Sequence, residues 1–344
     1  MSKRIKKETI FQIGGLILTV AAFGAAVFAV SKMIAGRDTG GTEPTYSYQS
    51  NQAPVFYYDG KEYHLRENME VILVMGVDDY EVMDDNGRYV NQSQADVLYV
   101  YAVDHANRTY QAIQLNRDTM TAVRTLDSIG RDDGLEVMQI CLAHAYGIDD
   151  EMRCRNTKEA VEGLLFDVPV DHFLSLTMAA IPILNEQVGG VTVTVPAGLE
   201  SADPDFVAGA TITLHGDQAE KFVRARESLA NDTNEFRMER QQIFLNAWKS
   251  QAEEKLSGNP SFGLNLTLAL TDVLVSDMSA NQLSDFANML SEYTDLGTLK
   301  TEGMTLDAGG GRAFREYHID TDDLQLKVIE LFYEEAGESG ASQG

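Results

Sequence analysis

The chain has 344 residues and carries 53 Asp or Glu against 27 Lys or Arg, a formal net charge of −26. A nucleic-acid backbone requires a basic surface, so this charge argues against nucleic acid as a partner. The length allows one large domain or two small ones beside a membrane segment. On such an acidic chain, any phosphate site must be a local cluster of arginines.

The N-terminal segment has the pattern of a membrane anchor. Four basic residues stand among the first eight, and an uncharged apolar run follows from Thr9 to Ser31. About 20 such residues cross a bilayer as a helix, and the basic side stays in the cytoplasm. The alternative, a cleaved signal peptide, has a shorter apolar core. We therefore predict a cytoplasmic N-terminus over residues 1–8, a single transmembrane helix over 9–34, and a domain outside the cell.

The predicted extracellular domain covers residues 55–335 and is bounded by two weakly patterned segments. Residues 35–54 are rich in Gly, Thr, Ser and Gln, which is typical of a flexible linker. Residues 336–344 are predicted to be a disordered tail. At the start of the domain, the pair Asp59-Gly60 between two aromatic runs predicts a β-hairpin over residues 55–65.

Three apolar runs of strand length form the centre of the predicted fold: Val71–Val77, Val97–Val103 and Tyr110–Leu115. All three are rich in β-branched or aromatic residues. The short polar turn 104–108 joins the last two runs as a hairpin. A second reversal across the polar loop 80–94 would place the first run beside the second.

Charged residues stand at the ends of these three runs. Asp78 follows the first run, Asp96 opens the second, and Arg117 and Asp118 follow the third. Antiparallel pairing brings these ends to the same edge of the sheet. Two close carboxylates repel each other, and hard oxygen donors beside open space suit a Mg²⁺ that also binds phosphate. The alternative is that each is an ordinary solvated strand end.

The rest of the domain alternates helical and extended patterns. Apolar periodicity predicts helices over Leu135–Tyr146, Thr157–Leu165, Asp217–Arg226, Phe236–Ala252, Leu264–Leu274, Ala280–Leu290 and Asp322–Glu335. Strands are predicted over Val188–Val195, Met304–Leu306 and Phe314–Ile319. The interspersed elements predict an α/β fold in which a mixed-strand central sheet is sandwiched between helices.

A cluster of arginines marks two of the predicted helices. Arg237, Arg240 and Gln241 stand at i, i+3 and i+4, so they share one face near a helix N-terminus. The helix dipole disfavours cations there unless an anion joins them. Arg224 and Arg226 end the preceding helix, and guanidinium groups bind phosphate oxygens two at a time. The alternative is ordinary surface pairing with the abundant acids.

Cys141 and Cys154 are the two cysteines of the chain. They are enough for one disulfide outside the cell, and the alternative is two free thiols. Neither has a neighbouring Cys or His at the spacing of a zinc site.

Taken in order, these motifs resemble the LytR-CpsA-Psr family of cell-wall glycopolymer ligases. The resemblance covers about residues 55 to 335. It rests on Gly76-Val77-Asp78, Ala95-Asp96-Val97, Arg117-Asp118-Thr119, Ala143-His144-Ala145-Tyr146-Gly147, Gly189-Gly190-Val191-Thr192-Val193, Leu214-His215-Gly216-Asp217-Gln218-Ala219 with Arg224-Ala225-Arg226, and Arg237-Met238-Glu239-Arg240-Gln241.

The resemblance implies a phosphotransferase that moves a teichoic-acid or capsular-type glycopolymer from a polyprenyl-pyrophosphate carrier to peptidoglycan. It implies that Asp78 and Asp96 hold Mg²⁺. The residues implied to bind pyrophosphate are Arg117, Arg224, Arg226, Arg237, Arg240 and Gln241. Catalysis would depend on Arg117, Arg226, Arg240 and Asp118, with Asp118 taking the proton of the attacking hydroxyl or orienting Arg117.

The chain departs from the family pattern at four positions. Tyr80 stands where an arginine is usual, Gln139 and Cys141 replace a lysine and an asparagine, and Asn234 stands where an acid is frequent. Losing one positive donor can cost on the order of 10²- to 10³-fold in rate. The alternatives are therefore an impaired module that binds polyprenyl phosphate or wall polymer without transfer, or a lipid pyrophosphate hydrolase.

Overall fold

The computed structural model describes residues 55–78, 93–127, 129–225, 234–259, 262–279, 282, 283, 285, 286, 289, 292–307 and 315–336. The predicted cytoplasmic, transmembrane and linker segments lie outside these residues, as does the predicted tail apart from residue 336. In the part of the chain that the structure describes, no helix is both long and apolar enough to cross a bilayer.

The first half of the domain is mostly strand. Its strands are β1 Phe56–Tyr58, β2 Lys61–Leu65, β3 Met69–Val77, β4 Ala95–Asp104, β5 Thr109–Leu115, β6 Met120–Leu126 and β7 Asp132–Gln139. A 3-10 helix, Ile140–Ala145, leads into helix α1, Asp150–Leu164, which begins where the Asp149 side chain accepts a hydrogen bond from the Met152 amide.

The second half carries most of the helices. In chain order it contains β8 His172–Thr177, α2 Ala180–Gln187, β9 Thr192–Thr194, β10 Thr211–Thr213, α3 Gln218–Arg224, α4 Asn234–Gly258, α5 Phe262–Leu270, a 3-10 turn Thr271–Val273, β11 Leu274–Ser276, β12 Thr294–Lys300, β13 Gly303–Asp307, β14 Arg315–Ile319, α6 Thr321–Phe332 and β15 Tyr333–Glu335.

A six-stranded sheet in the order β11-β8-β3-β4-β5-β12 forms the centre of the domain. Strands β3 and β8 pair in parallel, as do β5 and β12, and the other neighbours are antiparallel. The predicted mixed sheet and the two predicted reversals are therefore confirmed. The reversals place Val77 beside Ala95 and Leu98 beside Leu115, so the ends of β3 and β5 lie at the start of β4.

Both faces of the sheet are covered by buried apolar residues. Tyr99, Tyr101 and Val103 of β4 pack with the side that carries α2 to α5. Leu98 and Val100 pack with the opposite side, which carries α1 and α6. Because side chains of a strand alternate between faces, one strand supplies both cores. The predicted arrangement of a sheet between two helical layers is confirmed.

One predicted helix, Leu135–Tyr146, is wrong. Most of it is strand β7, which pairs antiparallel with β6, and only its end forms the 3-10 helix. Leu135 and Val137 are two residues apart, lie on one face of the strand, and are 59% and 71% exposed. Their spacing fits the two-residue period of a strand. Pairing with β6 therefore favours a strand over the helix that was predicted.

Other element boundaries differ by a few residues. Of the predicted strand Val188–Val195, only β9 forms a strand. Helix α2, which precedes it, was not predicted. The final helix ends at Phe332, after which β15 pairs with β2 and the Tyr333 ring packs edge-on against Phe56 with centroids 4.8 Å apart. The described positions of the predicted helix Ala280–Leu290 (282, 283, 285, 286 and 289) are helical.

Candidate functional site

An open cleft of ≈ 720 Å³ lies where β3, β4 and β5 meet α3 and α4. Five of the residues predicted for the site line it: Asp78, Asp96, Arg117, Arg224 and Arg237. The remaining lining residues are Gln94, Ser201, Ala202, Asp217, Glu220, Lys221 and Ala225. The strand ends therefore meet the arginine-bearing helices at one place.

A β-bulge positions Asp96. Gly76 pairs with Val97 and Val77 pairs with Ala95, so the register shifts between them and leaves Asp96 opposite no residue. The backbone N–H of Asp78 donates to the carbonyl of Gln94 at 3.1 Å, which keeps the strand ends together. Bulges often redirect a side chain beside a functional site. Here the bulge places Asp96 at the floor of the cleft.

Two guanidinium groups hold the carboxylate of Asp96. The Nη1 atom of Arg117 donates to Oδ1, and the Nη1 atom of Arg237 donates to Oδ2 at 3.2 Å. The Nη2 atom of Arg237 also donates to the Asp96 carbonyl at 3.2 Å. All three side chains are more than nine-tenths buried. One carboxylate thus holds two guanidinium groups in place, and Nε of Arg117 also lies 3.5 Å from Oδ1 of Asp118.

Arg224 connects the strand ends to α3. Its Nη2 atom lies 3.3 Å from Oδ1 of Asp78, and its Nη1 atom lies 2.6 Å from Oε1 of Glu220. The side chain is 40% exposed, so it can turn toward a ligand in the cleft. Arg224 is therefore the partly exposed cation of the cluster, beside the two buried ones.

The Asp78 carboxyl is poorly stabilised as an anion. Burial raises its pKa, and the nearby negative charge of Asp96 raises it further, although Arg224 acts in the opposite direction. A divalent cation held by Asp78 and Asp96 would favour the charged form of the Asp78 carboxyl. In the described part of the chain, no group of three His, Cys, Asp or Glu side chains forms a complete metal site. Mg²⁺, however, usually takes one or two carboxylates together with waters and substrate phosphates. The two-carboxylate set fits that pattern.

Three predicted site residues are close to the cleft but do not line it. Arg240 is 1% exposed, donates from Nη2 to the Ala225 carbonyl at 2.6 Å, and lies over the Phe236 ring at 5.2 Å. Gln241 is buried one position further along α4. Asp118 lies 3.5 Å from Nε of Arg117. Arg226, the remaining predicted residue, lies outside the described residues.

The profile of the LytR_cpsA_psr family matches residues 38–318. The chain belongs to this family. Its fold agrees with solved structures of LytR_cpsA_psr proteins. The structure described as TagT bound to LI-WTA covers 77% of this chain and 90% of its own, with a TM-score of 0.55 and 19% identity. The protein YwtF (TagT) with bound octaprenyl pyrophosphate lipid covers 77% and 89%, with a TM-score of 0.52 and 19% identity.

Curated relatives in the LytR_cpsA_psr family are named polyisoprenyl-teichoic acid–peptidoglycan teichoic acid transferase TagU. The one from Enterococcus faecalis is 27% identical over 217 residues, which is 63% of this chain and 64% of the relative. The one from Bacillus licheniformis is 30% identical over 160 residues, or 46% and 45%. The chain thus spans less than two thirds of the length of these relatives, whose names indicate a transferase role in the family.

Sequence reasoning missed several residues that contact or line the site, among them Gln94, Cys141 and Lys221. Gln94 accepts a hydrogen bond from Nη2 of Arg117, and the same nitrogen lies 3.0 Å from Sγ of Cys141. Lys221 lines the cleft one turn before Arg224 on α3. The i, i+3 spacing of Lys221 and Arg224 was the available signal. Nothing in the sequence indicated the contacts of Gln94 and Cys141.

The structure also describes several positions where this chain departs from the LytR_cpsA_psr pattern. Both cysteines are free and buried, so the alternative of two free thiols is confirmed. Burial raises the pKa of the Cys141 thiol to about 11, so the thiol beside Arg117 is neutral at pH 7. Gln139 donates to the Arg315 carbonyl at 3.2 Å. Tyr80 and the side chain of Asn234 lie outside the described residues.

Proposed function

We propose that this protein is a membrane-anchored phosphotransferase outside the cell, which moves a glycopolymer from a polyprenyl-pyrophosphate carrier to peptidoglycan. The observation that carries the proposal is the meeting of Asp78 and Asp96 with Arg117, Arg224 and Arg237 in one cleft. Two carboxylates and three guanidinium groups can together hold a doubly phosphorylated headgroup and a divalent cation. The names of the curated relatives support the same reaction class.

The arginines would bind the pyrophosphate in two ways. Arg117 and Arg237 are held by Asp96, so they present fixed N–H donors and lose little entropy on binding. Arg224 is partly exposed and would exchange its contact with Asp78 for a phosphate oxygen. Arg240 is anchored to the Ala225 carbonyl, which suits support of the adjacent chain more than direct contact. Fixed donors aimed at developing charge supply much of the catalysis in phosphoryl transfer.

Asp78 and Asp96 would hold Mg²⁺, as the family resemblance implies. The bound ion would neutralise charge on the pyrophosphate and on the departing lipid phosphate. The raised pKa of Asp78 supports this assignment, because burial and the Asp96 charge leave the carboxyl in need of a cation. Without such an ion, a pyrophosphate would meet both carboxylates at close range.

The transfer step breaks one bond to phosphorus and forms another. A hydroxyl oxygen of muramic acid attacks the phosphorus that bears the sugar, and the phosphoanhydride bond breaks so that polyprenyl phosphate leaves with the bonding electrons. The hydroxyl proton must pass to a base. Asp118 has two candidate roles, as this base or as the residue that orients Arg117. Its 3.5 Å separation from Nε of Arg117, and its position off the cleft, favour orientation.

A second candidate function is binding of the lipid carrier without transfer. Two described departures from the family pattern favour it. Cys141 is a neutral thiol beside Arg117, and Gln139 is bonded to the Arg315 carbonyl, so neither adds a positive charge to the cleft. Fewer positive donors would lower the rate more than the affinity if the lost contacts act mainly in the transition state.

One experiment separates these functions. The full-length protein in detergent is incubated with a polyprenyl-pyrophosphate oligosaccharide, with and without Mg²⁺ and with and without peptidoglycan. Sugar joined to peptidoglycan in the presence of Mg²⁺ supports the proposal. Lipid phosphate released without joining indicates hydrolysis, and substrate retained unchanged indicates a binding module. Failure to bind or convert the substrate contradicts all three.

A further inference from the structure

Gln94 is joined to the site through both its main chain and its side chain. Its carbonyl accepts a hydrogen bond from the Asp78 amide at 3.1 Å, and its side-chain oxygen Oε1 accepts one from Nη2 of Arg117. The residue stands two positions before Asp96 and lines the cleft. Gln94 therefore contacts the charged residues of the site without carrying a charge of its own.

The contact with Arg117 decides which way the Gln94 amide faces. A guanidinium group has only donors and stays charged, so the atom of Gln94 that meets Nη2 must be the oxygen. The other polar atom, Nε2, carries two N–H donors and no acceptor. In the part of the chain that the structure describes, Nε2 makes no hydrogen bond with another residue. Its donors are therefore available at the wall of the cleft.

Most donors of Arg117 are engaged by protein acceptors. Its Nη2 atom donates to Gln94 and lies 3.0 Å from Sγ of Cys141, so both N–H groups of this nitrogen are in use. Its Nη1 atom gives one of two N–H groups to Asp96, and Nε lies 3.5 Å from Oδ1 of Asp118. Arg117 therefore keeps few N–H groups for a ligand in the cleft, and Gln94 stands between its Nη2 atom and that space.

On the basis of the function proposed above, we propose that Gln94 is a substrate-binding residue whose Nε2 atom donates to a phosphoryl oxygen of the pyrophosphate. Arg117 donates to the amide oxygen, which polarises the amide and makes its N–H groups stronger donors. The neutral amide thus transmits part of the effect of a buried arginine to the cleft. A divalent cation at Oε1 would meet the guanidinium group that already bonds this oxygen, so the amide suits an anion and not a metal ion.

Three variants separate this contact from a role in which Gln94 only holds Arg117 in place. Gln94→Glu keeps an oxygen that accepts from Arg117 and replaces both N–H donors with a second anionic oxygen. Gln94→Met keeps the length of the side chain and removes both donors without adding charge. Ser201→Glu is the matched control, because it adds the same charge to the wall of the cleft and leaves Gln94 intact. Gln94 is half-buried and Ser201 is exposed, so folding should tolerate the changes, and thermal unfolding verifies this.

The variants are compared with the wild-type full-length protein in detergent, with Mg²⁺ present. Calorimetry measures the affinity for inorganic pyrophosphate, and steady-state kinetics measures kcat/KM for a polyprenyl-pyrophosphate oligosaccharide with peptidoglycan as acceptor. We expect Gln94→Glu and Gln94→Met to lower both values by about 10- to 100-fold, as the loss of a hydrogen bond to a charged group does. Ser201→Glu should cause a clearly smaller loss, because water and salt screen a charge on an exposed side chain.

The outcomes distinguish this inference from the proposed function. Equal losses in Gln94→Glu and Ser201→Glu overturn the contact with phosphate, because added charge alone would then explain them. Wild-type affinity in Gln94→Met overturns it as well. A loss confined to the carrier, with inorganic pyrophosphate bound as tightly as before, also overturns it, since the contact would then lie outside the pyrophosphate. All three results leave the transferase in place. If the wild-type protein neither binds nor converts the carrier, the proposed function fails and this inference fails with it.

Discussion

Arg237 and Asp96 are 141 residues apart in the chain, yet the Nη1 atom of Arg237 donates to Oδ2 of Asp96 at 3.2 Å inside the fold. Arg117 holds the other oxygen of the same carboxylate. One carboxylate thus fixes two guanidinium groups that come from a strand end and from a separate helix. Without this acid, both guanidinium groups would stay buried and lose the partner that they share.

The Asp96→Ala variant should lose both stability and activity. Removing the carboxylate leaves two buried guanidinium groups without the anion that they share, and breaking a buried pair of this kind costs about 3–5 kcal/mol. Urea unfolding followed by circular dichroism measures the loss. As a control, Glu151→Ala removes one partner of the exposed pair with Arg155 and should change stability by less than about 1 kcal/mol. Equal losses in the two variants would contradict the role of Asp96.

The Arg224→Ala variant should lose activity with little loss of stability. The side chain is 40% exposed, so its pairs with Asp78 and Glu220 contribute about 1 kcal/mol or less. Loss of one phosphate-binding donor should lower the transfer rate by about 10²- to 10³-fold. Arg155→Ala, which removes an exposed arginine paired at i, i+4 on α1, should leave the rate unchanged. Steady-state kinetics and thermal unfolding of both variants test this, and an unchanged rate in Arg224→Ala would exclude Arg224 from the site.

Removal of Mg²⁺ should abolish transfer, and Asp78 should contribute to the Mg²⁺ affinity. Chelation with EDTA should abolish transfer, and added Mg²⁺ should restore it, since the ion neutralises the pyrophosphate beside two carboxylates. Asp78→Asn should weaken the Mg²⁺ affinity measured by calorimetry, because an amide is a weaker ligand than a carboxylate. Asp118→Asn should leave the affinity unchanged, since Asp118 does not line the cleft. Transfer that persists in EDTA would exclude the metal site.

Stability should depend on pH through Asp295, which lies far from the cleft in β12. Burial raises the pKa of this carboxyl from 3.8 to about 6, although the Gly297 amide bonds its Oδ1 at 2.7 Å. Between these two pH values this carboxyl binds more protons in the folded protein than in the unfolded chain, so its contribution to the free energy of unfolding should fall as pH rises from about 4 to about 6.

The Asp295→Asn variant should remove that pH dependence and stabilise the protein at pH 7. The amide keeps the acceptor for Gly297 and carries no charge to bury. We expect a gain of about 1–2 kcal/mol, after allowance for solvent screening of the partly exposed group. Chemical unfolding at several pH values measures it. Asp307→Asn, whose side chain is 92% exposed, serves as the control and should show no gain.

Local patterns predicted which strand ends and which helix face meet at the cleft. The runs that form β3, β4 and β5 are rich in apolar residues, and polar segments separate them. Their antiparallel pairing could therefore be predicted from the sequence. Antiparallel pairing then placed Asp78 and Asp96 at one edge. The spacing of Arg237 and Arg240 likewise placed both on one face of a helix. These predictions concern neighbours along the chain or across a hairpin.

Other features depended on contacts that no local pattern contains. The bulge that redirects Asp96 arises from the register of β3 against β4. Arg240 was predicted to bind substrate, yet packing of α4 directs its Nη2 to the Ala225 carbonyl. The Leu135 segment has apolar residues compatible with either period, and pairing with β6 made it a strand. In each case, the interaction that fixes the local conformation is made with a segment that lies far away in the sequence.

The sequence alone determined the family resemblance, the mixed sheet between helices, and the acids and arginines at the ends of elements. These features depend on hydrophobic periodicity and residue spacing, which act over a few residues. The tertiary structure alone decided which arginine pairs with Asp96, which ones line the cleft, and that Lys221 stands between Asp203 and Asp217. Those pairings join segments far apart in the chain. Their geometry is set by how the helices pack on the sheet, so it emerges only when the whole core is formed.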